Sequence, residues 1–268
     1  MPYIFYTHGL GGSLQAQPEI EEVFEPLGYQ VLRVEVPYHR NVAELAVKLA
    51  TMTFGELCLM IHETANSLIE RAGQFAPEDY AVIGDSLGGF ISLTAAQRDP
   101  RISHCILLAC SGDLCHAIMN LDHLLPGMSS FAGMLNLAGN GGLRVQAHKA
   151  ISGQSDFQRE FELINPFRPE RTARLRRLLI LGDRGDPVAP EAACRHFAKR
   201  VKGSKVIMVY NEGRHHPIGK EALQKYAVPF LQNKPLSLAD RVQAFLAPVW
   251  GLFRRDPARE GRPGGEGR

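Results

Sequence analysis

The chain has 268 residues, 45% of them hydrophobic, and a formal net charge of +2. That length and apolar content can bury a full core, and they favour one large α/β domain over two small ones. The near balance of charge gives no electrostatic footprint for nucleic acid. The five cysteines, odd in number and without a CxxC pair, argue against a disulfide frame or a zinc site and for buried or free thiols in a reducing compartment. No charged-then-apolar leader opens the sequence and no run is long enough to span a bilayer, so a cytoplasmic location is expected.

Tyr3 to Thr7 is aromatic and β-branched, which predicts a strand. It ends at His8-Gly9-Leu10-Gly11-Gly12-Ser13, a loop whose glycines let backbone N–H groups turn towards a ligand. Gln17 to Leu27 predicts a helix closed by Gly28, and Tyr29 to Val36 a strand stopped by Pro37. Asn41 to Gly73 carries helical periodicity with a break near Thr53-Phe54-Gly55. His62, within its apolar second part, reads as a structural or surface histidine. Tyr80 to Gly84 and Ile102 to Ala109 are further strands, with a helix between them. The alternation of strands and helical crossovers predicts a parallel sheet covered on both faces.

Between those two strands stands Gly84-Asp85-Ser86-Leu87-Gly88. A serine between glycines, after an apolar strand and before a helix, has the pattern of a nucleophile elbow. The helix N-terminus beneath such a serine favours developing negative charge. Asp85 stands beside this serine, and either an orienting or a solvated side chain fits it.

Residues 111–174 break the rhythm with glycines and apolar clusters such as Leu121, Leu124, Met128 and Leu135. The segment exceeds an ordinary connection and predicts a small, mostly helical cap inserted in the fold. Arg177 to Leu181 resumes as a strand, ending in Gly182-Asp183-Arg184-Gly185-Asp186-Pro187. Glu191 to Val201 predicts a helix and Lys205 to Tyr210 the last strand. Asn211-Glu212-Gly213-Arg214-His215-His216 follows, then a closing helix from Lys220 to Leu231. Residues 233–255 read as an amphipathic helix (Leu238, Val242, Phe245, Leu246, Val249, Trp250, Phe253), and 256–268 as a disordered Pro/Gly/Arg/Glu-rich tail. That helix would contact the body, a second subunit in a homodimer, or a peripheral membrane surface. The core is expected in 1–110 and 175–232.

In such a sheet the loops after the carboxyl ends of the strands share one rim. Four of these loops carry His8-Gly9-Leu10, Ser86, Asp183 with Asp186, and His215 with His216. The order Ser, Asp, His over residues 3–232 resembles the α/β-hydrolase superfamily. The resemblance implies a mostly parallel sheet of about six strands, the first two strands of the full fold being absent. It implies Ser86 as nucleophile, Asp186 (before Pro187-Val188) as the acid and His215 as the base, with Asp183 and His216 as alternates. The backbone N–H groups of Leu10 and Leu87 would form the oxyanion hole, with His8 and Gly9 supporting that loop. Gly84-Asp85-Ser86-Leu87 also spells the signature of the GDSL esterases. Those carry it near the N-terminus with a late Asp-x-x-His, and neither His215 nor His216 has Asp three residues before it.

The implied chemistry is hydrolysis of a small-molecule carboxylic ester, with an apolar or lipid-like acyl group, through an acyl-enzyme and without metal or organic cofactor. A peptidase or thioesterase of the same fold, and a catalytically silent binding module, are the alternatives.

Overall fold

Apolar residues dominate the middle strands, because a parallel sheet wrapped by helices is dry on both faces. The computed structural model describes residues 3–9, 15, 17–37, 52–76, 78–119, 143–154, 156–210, 212–213, 215 and 217–235. Among them lie six strands: β1 Tyr3–Thr7, β2 Gln30–Val34, β3 Tyr80–Asp85, β4 Ile102–Leu108, β5 Leu178–Asp183 and β6 Lys205–Tyr210. They form one sheet in the order β2-β1-β3-β4-β5-β6, every neighbouring pair parallel. Strands β3, β4 and β5 are buried almost throughout, whereas the edge strands β2 and β6 are half-buried.

The chain leaves β1 for β2 on one side, then crosses back over β1 to β3 and continues the other way. Strand order therefore reverses between β1 and β3. In sheets of this kind a reversal of strand order is where ligands bind, outside the carboxyl ends of the strands. Register keeps those ends level, with Thr7 opposite Gly84, Asp85 opposite Leu108 and Asp183 opposite Tyr210.

Helix α1 (Glu19–Phe24) and a 3-10 turn (Glu25–Leu27) link β1 to β2. Gly28, at φ 87°, ends that turn in the left-handed conformation that glycine tolerates best. Helix α2 runs over Phe54–Phe75. Thr53 caps it reciprocally with Glu56, so the expected break at Thr53-Phe54-Gly55 is the helix start. The helix continues past Gly73, because Leu57, Ile61, Ala65, Leu68 and Ala72 bury one stripe that outweighs the roughly 1 kcal/mol cost of an interior glycine. Residues 41–51 of the predicted helical stretch lie outside the described residues. Helix α3 (Leu87–Ala96) is buried on every face, as its small and apolar sequence requires.

Between β4 and β5 come α4 (Leu114–Met119), α5 (Leu143–Ile151), α6 (Gln158–Ile164) and α7 (Pro169–Thr172). These pieces are fastened to the body. The rings of Phe54 and Phe161 lie 5.8 Å apart, and a Cβ on Gly55 would stand 2.5 Å from the Phe157 ring. The Phe54 N–H donates to Gln146 Oε1 (2.6 Å), and Arg98 and Gln97 donate to the carbonyls of Leu163 (2.9 Å) and Pro166 (3.1 Å). The apolar clusters at 121–140 lie outside the described residues.

Helix α8 (Glu191–Ala198) precedes β6. The predicted closing helix is three pieces: α9 (Lys220–Ala222), a π-helical turn (Leu223–Ala227) and α10 (Val228–Leu231). Pro229 is the cause. It lacks an N–H and its ring crowds the carbonyl one turn earlier, and the widened turn, in which the Val228 N–H reaches back to Leu223 O, relieves the clash.

Residues 1–234 belong to one compact unit. The predicted amphipathic helix and tail after 235 lie outside the described residues. The five cysteines are all buried and free. Among the described residues no helix is long and apolar enough to cross a membrane.

Candidate active site

Ser86 joins β3 to α3 at φ 47° and ψ −114°, a backbone position that residues with a Cβ rarely hold. Two hydrogen bonds fix it. The Ser86 N–H donates to Leu108 O (2.8 Å) and the Gly89 N–H donates to Ser86 O (2.9 Å). The flanking glycines are a steric necessity. A Cβ on Gly84 would lie 2.2 Å from Gly88 O, and one on Gly88 only 2.1 Å from Thr7 O. The turn is that sharp because α3 folds straight back beside β1 and β3.

Thr7, the last residue of β1, locks this contact. Its Oγ1 donates to Gly88 O (2.7 Å) and lies 2.7 Å from Ser92 Oγ. The His8-Gly9 stretch then runs against the elbow, where a Cβ on Gly9 would be 2.9 Å from Asp85 Oδ2 and 3.0 Å from Ser86 Cβ. His8 is buried, its Nδ1 donates to Gly9 O (3.0 Å), and burial draws its pKa below the ordinary imidazole value.

At the end of β5, Asp186 is 1% exposed. Its Oδ1 accepts from the N–H groups of Val188 (2.8 Å) and Ala189 (3.0 Å), and its Oδ2 accepts from His215 Nδ1 at 2.7 Å. Burial alone would raise its pKa. The His215 hydrogen bond and charge, with those two backbone donors, outweigh burial and hold the carboxyl below the usual range. With Nδ1–H committed to Asp186, the His215 Nε2 lone pair faces outward. It meets Ser86 Oγ at 2.9 Å. Three strand ends thus bring Ser86, His215 and Asp186 into one hydrogen-bonded line.

Asp183, three residues before Asp186, does a different job. It is buried, and its carboxylate accepts from Gly185 N–H (2.8 Å), Glu212 N–H (2.8 Å) and Gly213 N–H (3.1 Å). It therefore staples the loop after β6, which carries His215, to the loop after β5. The loops touch closely enough that a Cβ on Gly185 would stand 2.7 Å from Gly213 Cα. By sequence alone Asp183 is only an alternate to Asp186. The Gly-Asp-x-Gly-Asp pattern gave no signal that its first aspartate serves backbone donors. Nor does anything local mark Thr7 as the tie between β1 and the elbow.

Leu87 opens α3, where the helix itself supplies no acceptor for the first N–H groups. Leu10 and His216 lie outside the described residues. Asp85 contrasts with Asp186. Its Oδ1 is buried with no hydrogen-bond partner, and its pKa is pushed up to about 6, chiefly by burial and further by Asp186, with His215 opposing. His62 contacts the Arg98 guanidinium, remote from this line, in keeping with a structural role.

No family model matches the sequence, and no curated protein matches it either. Solved structures do. Est1E from Butyrivibrio proteoclasticus, solved with ferulic acid bound, superposes with a TM-score of 0.58 at 15% identity over 87% of this chain and 89% of its own. The enol-lactonase of Burkholderia xenovorans gives 0.53 at 16% identity over 86% and 91%. Alpha/beta hydrolase domain-containing protein 10 from mouse gives 0.52 at 18% identity over 87% and 86%. The chain has the α/β-hydrolase fold, with six parallel strands among the described residues.

Proposed function

We propose that this chain is a serine hydrolase that cleaves carboxylic esters through an acyl-enzyme. The observation that carries the reading is the continuous line Asp186–His215–Ser86, with contacts of 2.7 and 2.9 Å, on a serine held at φ 47°. Ser86 Oγ attacks the acyl carbon while His215 Nε2 takes its proton. His215 then returns the proton to the leaving alcohol. Water repeats the cycle and frees the acid. Asp186 holds the imidazole in the required tautomer and stabilises it when it becomes cationic.

The oxyanion is received by the N–H of Leu87, free at the start of α3, together with that of Leu10. Each such donor is worth ~2.7–4 kcal/mol. The Ser86 N–H is excluded from this role, since it is spent on Leu108 O. The described helices α4 to α7 of the 111–174 insertion are read as the cap over the acyl group, and the ferulic-acid-bound Est1E and the enol-lactonase with this fold favour a carboxylic ester as the substrate class.

The test is hydrolysis of p-nitrophenyl esters of increasing acyl length by wild type and Ser86→Ala. Turnover that disappears with the serine supports the reading, and the preferred length measures the room under the cap. Turnover that survives the substitution rejects it.

A further inference from the structure

The sheet has a second rim. At the amino ends of β3, β4 and β5, opposite the proposed triad, is a cavity of about 480 Å³, a size typical of small-ligand sites. Its charged lining is Arg176, Arg177 and Asp79, with His104 beside them. Arg176 donates to Asp79 (2.8 Å) and is thereby matched. Arg177 has no carboxylate partner among the described residues. Its Nη1 lies 3.2 Å from His104 Nε2, and its guanidinium lies 4.9 Å above the centre of the buried Phe230 ring.

Burial keeps His104 below its ordinary pKa, so the imidazole adds no charge of its own at neutral pH. Within the lining, two guanidiniums against one carboxylate leave a single positive charge, on Arg177; the Lys205 ammonium, 6.0 Å from the centre of the same Phe230 ring, stands outside the lining. A half-buried guanidinium resting on an aromatic face, with one N–H beside a His104 Nε2 that also lies 3.2 Å from Asn233 Oδ1, still has N–H groups to spare, arranged as a fork that fits a carboxylate bidentately. Tyr29 lines the same space, and burial raises its pKa, which keeps the hydroxyl protonated. Ala81 and Leu231 supply apolar wall. One net charge suits a monoanion. A dianion such as phosphate would leave one charge uncompensated next to Asp79.

We infer that this cavity is a binding site for a small organic monocarboxylate, anchored on Arg177 and separate from the proposed triad. The inference stands on the cavity alone and survives if the proposed hydrolysis fails.

The test is calorimetric titration of the full-length chain with benzoate, neutral benzamide and inorganic phosphate, with the histidine imidazole NMR signals followed in parallel. Saturable benzoate binding that shifts His104 and leaves His215 unmoved is expected, with benzamide and phosphate clearly weaker. Arg177→Gln should weaken benzoate by about tenfold or more, as loss of a charge-assisted pair does. If that variant does not fold, Arg177→Lys, which keeps the charge and stem but not the fork, serves instead and should also bind more weakly. The inference is overturned by any of four results: no saturation at millimolar benzoate, shifts at His215 rather than His104, phosphate binding as tight as benzoate, or undiminished binding in the folded Arg177 variant.

Discussion

Two aspartates sit at the same rim of the sheet, and their surroundings drive them apart. Asp186, in the loop after β5, is buried but accepts two backbone N–H groups and the His215 imidazole, and its pKa falls. Asp85, at the end of β3, has a buried oxygen with no partner, and its pKa climbs to about 6. Burial acts against the charge of both. Hydrogen bonding decides the sign. One carboxylate is therefore fitted to hold an imidazolium, and the other is a strained neighbour whose charge costs stability.

The sharpest way to break this contrast is Asp186→Asn. The amide leaves the shape but can present an N–H to His215 Nδ1, favouring the wrong tautomer. Ester turnover should fall by about 10⁴-fold in kcat while the circular dichroism spectrum is kept. A loss of only a fewfold would mean that Asp186 does not orient the base.

Asp183→Asn is the next step down. It keeps the β5 strand but sets an amide N–H against one of the three backbone donors it now receives. The loop bearing His215 should loosen. A drop of about 10–100-fold in kcat with little change in KM is expected, from the cost of one unmade buried hydrogen bond. If KM rises alone, the staple acts on substrate binding and not on His215.

Asp85→Asn probes the other side of the comparison. Its folded pKa is raised above the unfolded value of 3.8. Its contribution is therefore most favourable below about pH 4 and is lost as pH rises through about 6. Asp186 runs the opposite way. Its contribution is complete above the ordinary aspartate pKa and is lost as pH falls through the lower folded value. Asp85→Asn should thus stabilise the protein by about 1–3 kcal/mol at pH 8 and by little at pH 4, measured by urea unfolding. Equal effects at both pH values would remove Asp85 from the pH dependence.

The smallest change expected is in Thr7→Val. It deletes the hydroxyl that ties β1 to Gly88 and Ser92. A loss of about 1 kcal/mol in the same unfolding assay is expected, with turnover reduced only modestly. No loss of stability would show that backbone packing alone holds the elbow.

Much of this was legible in the sequence for a physical reason. Strands buried on both faces announce themselves as apolar runs, and β6 spans the predicted Lys205–Tyr210. Gly84 and Gly88 are demanded by contacts of 2.2 and 2.1 Å, so the elbow pattern reports sterics directly. What stayed hidden depends on distance in space. Two of the three acceptances of Asp183, from Glu212 and Gly213, reach from the end of β5 to the β6 loop, and nothing beside it in sequence records them. The π turn before Pro229 was missed because apolar periodicity says nothing about hydrogen-bond register. The pairing of Arg177 with His104 joins β4 to the start of β5 across the sheet, again invisible locally.

The most direct measurement of the central claim is reaction of the full-length protein with a fluorophosphonate, followed by peptide mass spectrometry. The expected result is one adduct, on the peptide containing Ser86, that disappears in Ser86→Ala and is slowed strongly in His215→Ala. A folded protein that takes no adduct, or takes it elsewhere while Ser86 stays free, would contradict the assignment of Ser86 as an activated nucleophile.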